Sequence, residues 1–182
     1  MPDRERQGDH SANGSPRKGP RNDGPRSGPP KKGPPKKKGG LRLRLLGEDD
    51  YEFDHPPCVE ETELDYAEGL EFLKAGDPES ARDALRYALQ GCGDNLYVHT
   101  ALGELALSEF NDPKLARGHF GYGFELGVSA LPPNFHGRLP AHRVANKPFL
   151  EAAAGLIKCY EALGMPREAA DLAASLKRWT RP

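Results

Sequence analysis

Apolar residues recur every three or four positions from about residue 60 to the C-terminus, with short polar turns between the apolar segments. This spacing places the apolar side chains on one face of a helix. Three turns share one form, Gly76-Asp77-Pro78, Asn111-Asp112-Pro113 and Gly164-Met165-Pro166, and each places proline in the first turn of a new helix. The pattern predicts six helices, at about residues 60–75, 78–91, 95–109, 113–127, 148–163 and 166–178.

Two of these segments are similar to each other with a period of 34 residues. The alignment pairs Gly69 with Gly103, Phe72 with Ala106, Leu85 with His119, Ala88 with Tyr122, and Ala81 with Leu115, one position before Ala116. That offset arises because the second turn is one residue longer than the first. A third unit begins near Leu150 with the spacing of the first. The small residues Gly69 and Gly103 on the first helices, and Ala81 and Ala169 on the second helices, let antiparallel helices approach closely. Each helix pair can bury its apolar face only against a neighbouring pair.

These spacings resemble the tetratricopeptide repeat family. The first unit carries the family's small and large apolar positions at Gly69, Phe72, Gly76, Ala81, Leu85 and Ala88. The family's early Trp and late Pro are missing from this unit, and the second unit has Ala106 where the family has an aromatic residue. The resemblance implies an all-α fold of antiparallel helix pairs, a solenoid of about three units over residues 61–180.

The resemblance also implies a function, because the first helices of such repeats line a concave groove that binds a peptide or protein. The groove-facing positions would be Glu63, Tyr66, Leu70, Lys74, Tyr97, Thr100, Glu104, Glu151, Ala154 and Lys158. The Asn/Lys pattern with which chaperone-type members hold a C-terminal carboxylate is not reproduced. The leading hypothesis is therefore a non-enzymatic scaffold or adaptor with a protein or peptide partner.

The formal net charge of −1 conceals two oppositely charged parts, +9 over residues 1–44 and −10 over residues 45–182. Residues 1–40 contain eight Pro, eight Gly and no Leu, Ile, Val, Phe, Tyr or Trp. Such a segment cannot offset the cost of ordering its backbone, about 1–2 kcal/mol per residue. The composition predicts a disordered, basic N-terminal tail over residues 1–44.

The lysines of this tail, Lys31, Lys32, Lys36, Lys37 and Lys38, suggest a polyanion-binding arm. Such an arm would contact nucleic acid or a ribosome weakly and independently of sequence, which gives the alternative function of a nucleic-acid- or ribosome-associated factor. The tail has no aromatic residue for base stacking. A solvated tail that only aids solubility is the competing interpretation.

The segment after the tail, residues 45–60, is predicted to be an acidic linker, since ten acids and no Lys or Arg lie between Glu48 and Glu68. Just before and within it, the leucines of the segment 41–46 indicate either a short strand or an apolar latch onto the domain. His55 and Cys58 have the spacing of two metal ligands, but without a second pair a plain loop is the better interpretation.

About twenty extra residues, at about 128–147, interrupt the repeat pattern as an inserted loop. The stretch from Asn146 to Ala152, Asn-Lys-Pro-Phe-Leu-Glu-Ala, is similar to a lead-in found before a helix in some bacterial tetratricopeptide proteins. Two interpretations stay open: Arg143, Asn146 and Lys147 favour an anion beside the helix N-terminus, or Asn146 caps the helix and the loop packs over the core. His136 and His142 suggest metal ligands or a base, but no Cys, Asp or Glu in the loop completes either site.

The remaining observations concern the class of protein. The three cysteines, Cys58, Cys92 and Cys159, are odd in number and widely spaced, which predicts reduced thiols and a cytoplasmic protein. No apolar stretch is long enough for a membrane span. No catalytic signature or paired metal spacing is present, so we expect neither an enzyme nor a cofactor or metal. An apolar end face of a three-repeat array could also pair with a second copy.

Overall fold

The computed structural model describes residues 40–181. In that part of the chain the backbone forms a two-stranded antiparallel sheet, seven α-helices and one 3₁₀ turn. In chain order these are β1 (Arg42–Gly47), β2 (Asp50–Asp54), α1 (Cys58–Glu61), α2 (Glu63–Lys74), α3 (Pro78–Gly91), α4 (Leu96–Ser108), α5 (Pro113–Ala130), the 3₁₀ turn Val144–Asn146, α6 (Lys147–Ala162) and α7 (Pro166–Trp179). This part of the chain is mostly helical, as expected, but the prediction of an all-α fold is wrong because residues 42–54 form the two-stranded sheet. Residues 1–39 of the predicted tail lie outside the described range.

All six predicted helices are present as α2 to α7, with ends within three residues of the predicted ones. The turns act as the sequence indicates, since Asp77 accepts a hydrogen bond from the Ser80 amide at 3.1 Å and Asp112 accepts one from the Leu115 amide at 2.9 Å. Gly76 has a φ of 77°, in the left-handed region that ends a helix and suits glycine.

Consecutive helices pack in pairs, α2 with α3, α4 with α5 and α6 with α7, and α6 also contacts α4 and α5. Glycines set the approach in the first two pairs. A Cβ added at Gly69 would lie 2.7 Å from Leu85 Cγ, and one added at Gly103 would lie 2.7 Å from the Phe120 ring. The predicted role of small residues at these two positions is confirmed.

The alignment within α5 is wrong by one residue, because the longer turn before it shifts the buried face. The buried residues of α3 are Ala81, Leu85 and Ala88, and those that open α5 are Ala116, Phe120 and Gly123. Phe120 therefore corresponds to Leu85, and Gly123 corresponds to Ala88. His119 and Tyr122, which the 34-residue period had placed there, lie beside the core instead.

Displaced from the core, His119 packs against His99, whose ring centroid is 6.0 Å away. His99 is buried, and its Nε2 lies 3.0 Å from the Gly93 carbonyl oxygen. Desolvation, with smaller contributions from His99 and Arg86, lowers the pKa of His119 from 6.5 to about 4. Desolvation lowers the pKa of His99 as well. The fold therefore favours the neutral form of both rings.

The leucine-rich segment before the acidic linker is a strand, so the interpretation as a strand is confirmed. β1 pairs antiparallel with β2, with Leu43 opposite Phe53, and residues 42–44, assigned to the tail from sequence, belong to this hairpin. Phe53 is buried, and its ring centroid lies 5.0 Å from that of Phe149 in α6. The hairpin thus covers the start of α6.

The inserted loop holds this hairpin through Asn146, which is fully buried. Its Oδ1 accepts from the Phe53 amide at 3.0 Å, and its Nδ2 donates to the carbonyl oxygens of Tyr51 at 3.0 Å and Pro140 at 3.3 Å. The Asn146 side chain makes no capping bond to α6, so the prediction that it caps this helix is wrong. The sequence misses this role because both strand partners are more than ninety residues away.

Cys58 and Cys92 form a disulfide, with Cα atoms 5.3 Å apart, so the expectation of reduced thiols is wrong for these two. An antiparallel helix pair returns the chain to its starting point, and the bond joins the residues that flank α2 and α3. The two cysteines are 34 residues apart in the sequence. The bond removes the argument from reduced thiols for a cytoplasmic location. Cys159 is free and buried.

Replacing Asn146 with alanine should lower the free energy of unfolding by about 1–3 kcal/mol, because buried strand groups lose their hydrogen-bond partners. Urea denaturation followed by circular dichroism measures this. His142→Ala, an exposed change in the same loop, is the control, and an equal loss in both variants would contradict the proposed role of Asn146.

Reducing the Cys58–Cys92 bond should lower the free energy of unfolding by about 2–4 kcal/mol, because it opens a large loop. Urea denaturation of the Cys58→Ser, Cys92→Ser double variant measures the effect. Without reductant, the double variant should have the same free energy of unfolding as the wild-type protein with reductant. A wild-type protein that is indifferent to reductant would contradict the bond's contribution.

Acid should destabilise the fold through His119. Because the unfolded chain protonates this ring near pH 6.5 and the folded chain only near 4, the free energy of unfolding falls as the pH drops between these values. The loss attributable to the half-buried ring is about 1–2 kcal/mol after allowance for solvent screening. Urea denaturation at pH 7 and pH 4.5 measures it, and His119→Gln should reduce the difference. An unchanged pH dependence in that variant would refute the assignment.

Candidate functional site

A cavity of about 530 Å³ lies among α2, α4 and α6, the first helices of the three pairs. It is lined by Tyr66, Leu70 and Leu73 from α2, Tyr97, Thr100, Ala101, Glu104, Leu105 and Ser108 from α4, Glu109 just after α4, and Pro148 and Glu151 from α6. The α2 positions are spaced by four and three residues, so they share one helix face. The helical period itself creates the wall.

A second cavity of about 510 Å³ adjoins the first. It shares Tyr66 and Tyr97 and adds Val59, Glu60, Glu63 and Asn95. The two tyrosine ring centroids are 6.2 Å apart, with the ring planes inclined at 56°. Because both rings border both cavities, we treat the two as one surface, the tyrosine groove.

Buried polar groups fix the helices that form this groove. Asn95 accepts hydrogen bonds from the amides of Tyr97, at 3.1 Å, and Val98, at 3.3 Å, which caps α4 at the base of Tyr97. Thr100 Oγ1 lies 2.9 Å from the Pro148 carbonyl oxygen, which joins α4 to the first turn of α6. Both residues are at most 8% exposed, so these bonds form out of water. The groove is therefore largely preformed.

The groove is acidic. Five glutamates line it, namely Glu60, Glu63, Glu104, Glu109 and Glu151, and no lysine or arginine of residues 40–181 does. None of the five forms an ion pair with another residue in that range. Partial desolvation raises the pKa of Glu151, Lys147 opposes this, and the charge of Glu104 raises the pKa further.

Burial and the charge of Glu151 also shift the pKa values of the two groove tyrosines. Desolvation raises the pKa of Tyr66 and of Tyr97, and the charge of Glu151 raises both further. Their phenol groups are therefore neutral donors at physiological pH. Aromatic faces, apolar walls and carboxylate acceptors are thus available to a ligand within one groove.

The structure brings together most of the residues assigned to the groove from sequence. The first cavity is lined by six of them, Tyr66, Leu70, Tyr97, Thr100, Glu104 and Glu151, and the adjoining cavity by Glu63. Lys74, Ala154 and Lys158 line neither; the Nζ of Lys74 lies 2.7 Å from Glu71 Oε1. Six residues of the first cavity were missed, Leu73, Ala101, Leu105, Ser108, Glu109 and Pro148, although four of them lie three or four residues from predicted ones on the same helix. Val59, Glu60 and Asn95 of the adjoining cavity were missed as well.

The three residues of the inserted loop do not form one anion site. Arg143 Nη1 lies 3.9 Å from Glu52 Oε2 in the hairpin, and Asn146 is committed to the strand backbone. Lys147 is exposed at the first turn of α6. Two of the three side chains therefore serve the hairpin.

The candidate metal ligands are also separated. Cys58 is in a disulfide, and His55 Nε2 lies 2.9 Å from the Ala145 carbonyl oxygen, so the interpretation of these two as metal ligands is wrong. His136 and His142 are exposed. Within residues 40–181 no group of three or more His, Cys, Asp or Glu side chains is placed to hold a metal ion. The five lysines of the proposed polyanion-binding arm lie outside that range.

Comparison with protein-family models, with curated proteins and with solved structures found no match to this chain. No helix in residues 40–181 has the length and apolar character needed to cross a membrane.

Proposed function

We propose that this protein is a non-enzymatic scaffold of the tetratricopeptide-like class that binds an extended segment of a partner protein in the tyrosine groove. The observation that carries the proposal is the position of the groove, which is formed by the first helix of each of three consecutive pairs. Repeated helix pairs that place equivalent helices side by side create such concave binding surfaces.

The dimensions and chemistry of the groove support a peptide ligand. Two adjoining cavities of about 530 and 510 Å³ leave room for several residues of an extended chain. Tyr66 and Tyr97 are the amphipathic aromatic residues that dominate protein interfaces, because each buries a large face at a low cost in side-chain entropy. The preformed helix faces reduce the cost of binding further.

The nucleic-acid- or ribosome-associated function stays a prediction from the lysines of the tail. Its binding would not use the tyrosine groove, because five glutamates there repel phosphate. The two functions are therefore separable by mutation.

A photo-crosslinking residue at Ser108, which is exposed and lines the groove, should capture a partner protein in cells. The same residue at Ala174, exposed on α7 away from the groove, should not capture it. Tyr97→Ala should weaken capture about fivefold, the loss expected for an interface aromatic, while Tyr87→Ala on the exposed face of α3 should not. Circular dichroism confirms that both variants are folded.

Equal capture from both positions, or capture unaffected by Tyr97→Ala, would refute binding in the groove. Capture that is lost when a cell lysate is treated with nuclease before irradiation would instead favour the nucleic-acid-associated function.

A further inference from the structure

The charge of the tyrosine groove identifies the chemistry of its occupant. We propose that the groove binds a partner segment rich in lysine or arginine, with a cationic side chain seated between Glu104 and Glu151 and its methylene stem against Tyr97. This inference rests on the proposed function, because it specifies the ligand of the same groove. It concerns the kind of side chain recognised, whereas the proposed function concerns only the place of binding.

The position between α4 and α6 follows from the two carboxylates. Glu104 lies on the groove face of α4, and Glu151 lies one helical turn into α6. The charge of Glu104 raises the pKa of Glu151, although less strongly than Lys147 lowers it, so the two carboxylates are near enough to interact. A ligand cation between them would offset this repulsion. Because five glutamates and no lysine or arginine of residues 40–181 line the groove, its charge favours a cationic ligand.

Tyr97 supplies the second half of the recognition. Tyr97 and Glu151 line the same cavity, and desolvation followed by the charge of Glu151 raises the pKa of the Tyr97 hydroxyl. A lysine or arginine side chain can lay its apolar stem along an aromatic face and direct its charged end to a carboxylate. Leu70 and Ala101 complete an apolar wall beside this position.

The remaining glutamates extend the preference along the groove. Glu60 and Glu63 border the cavity on one side of the tyrosine pair, and Glu109 lies towards the other end. A ligand with one positive charge would match only one of these glutamates, whereas glutamates spread along the groove match a segment with several positively charged side chains. Residues 45–182 of a second copy are poor occupants, because they carry a net charge of −10 and would be repelled by the groove.

Fluorescence anisotropy with three labelled decapeptides tests the inference on the full-length protein. The probes are five repeats of Lys-Ala, Gln-Ala or Glu-Ala. We expect the lysine peptide to bind at least tenfold more tightly than the glutamine peptide, the glutamate peptide not to bind, and affinity to fall with added salt. Glu104→Gln with Glu151→Gln should weaken lysine-peptide binding about tenfold, the product of two partly exposed charge contacts.

The matched control is Glu125→Gln with Glu161→Gln, two exposed glutamates of α5 and α6 outside the groove. This variant has the same net charge as the groove variant, so less than a twofold change is expected. An equal loss in both variants would overturn the inference, because it would assign binding to the diffuse negative charge of the domain.

The remaining outcomes separate this inference from the proposed function. Equal affinity for the lysine and glutamine peptides, with both affinities reduced by Tyr97→Ala, would overturn the cation preference and leave groove binding intact. If neither Tyr97→Ala nor the Glu104→Gln, Glu151→Gln double variant changes binding of the lysine peptide, both the cation preference and binding in the groove are overturned.

The inference of an external partner would also be overturned if the groove binds a second copy of the chain or the chain's own lysines. Analytical ultracentrifugation would identify a second copy as the occupant if it shows concentration-dependent dimers that the Glu104→Gln, Glu151→Gln double variant no longer forms. A higher affinity for the lysine probe after replacement of Lys31, Lys32, Lys36, Lys37 and Lys38 by glutamine would identify competing lysines of the chain itself.

Discussion

The rest of the structure depends on the contact that the Phe120 ring makes with two glycines. Phe120 projects from α5 against Gly103 on α4 and against Gly155 on α6, and at either glycine an added Cβ would collide with the ring. One fully buried side chain thereby fixes the distance between two first helices that belong to different pairs. Glu104 follows Gly103 directly, so the packing that needs glycine also places a groove carboxylate.

The hairpin and the inserted loop act on the same helix from its other side. Phe53 packs on Phe149, and Asn146 satisfies strand groups just before α6 begins. A buried amide bound on both its donor and acceptor sides specifies one arrangement, because any shift leaves polar groups without partners. The insertion that interrupts the repeat pattern thus orients the turn of α6 that contributes Pro148 and Glu151 to the groove.

The acidity of the groove has an energetic consequence for the protein alone. None of the five groove glutamates forms an ion pair within residues 40–181, so ion pairing at these carboxylates does not stabilise the domain. Stability comes instead from apolar burial at Ala81, Leu85 and Phe120 and from the Cys58–Cys92 bond. Separating the residues that stabilise the domain from those that line its groove leaves the groove surface available for recognition.

The amino-acid sequence by itself determined the six main helices, their turns and most of the groove residues, because helix periodicity and Asp-Pro starts are local signals. Seven of the ten residues assigned to the groove line its two cavities, since residues of one helix face stay together in any packing. Tertiary structure alone decided the hairpin's docking on Asn146, the Cys58–Cys92 bond, and the one-residue shift that buries Phe120 rather than His119. These features join residues distant along the chain or depend on which face of a helix is covered, and only the packed chain specifies that.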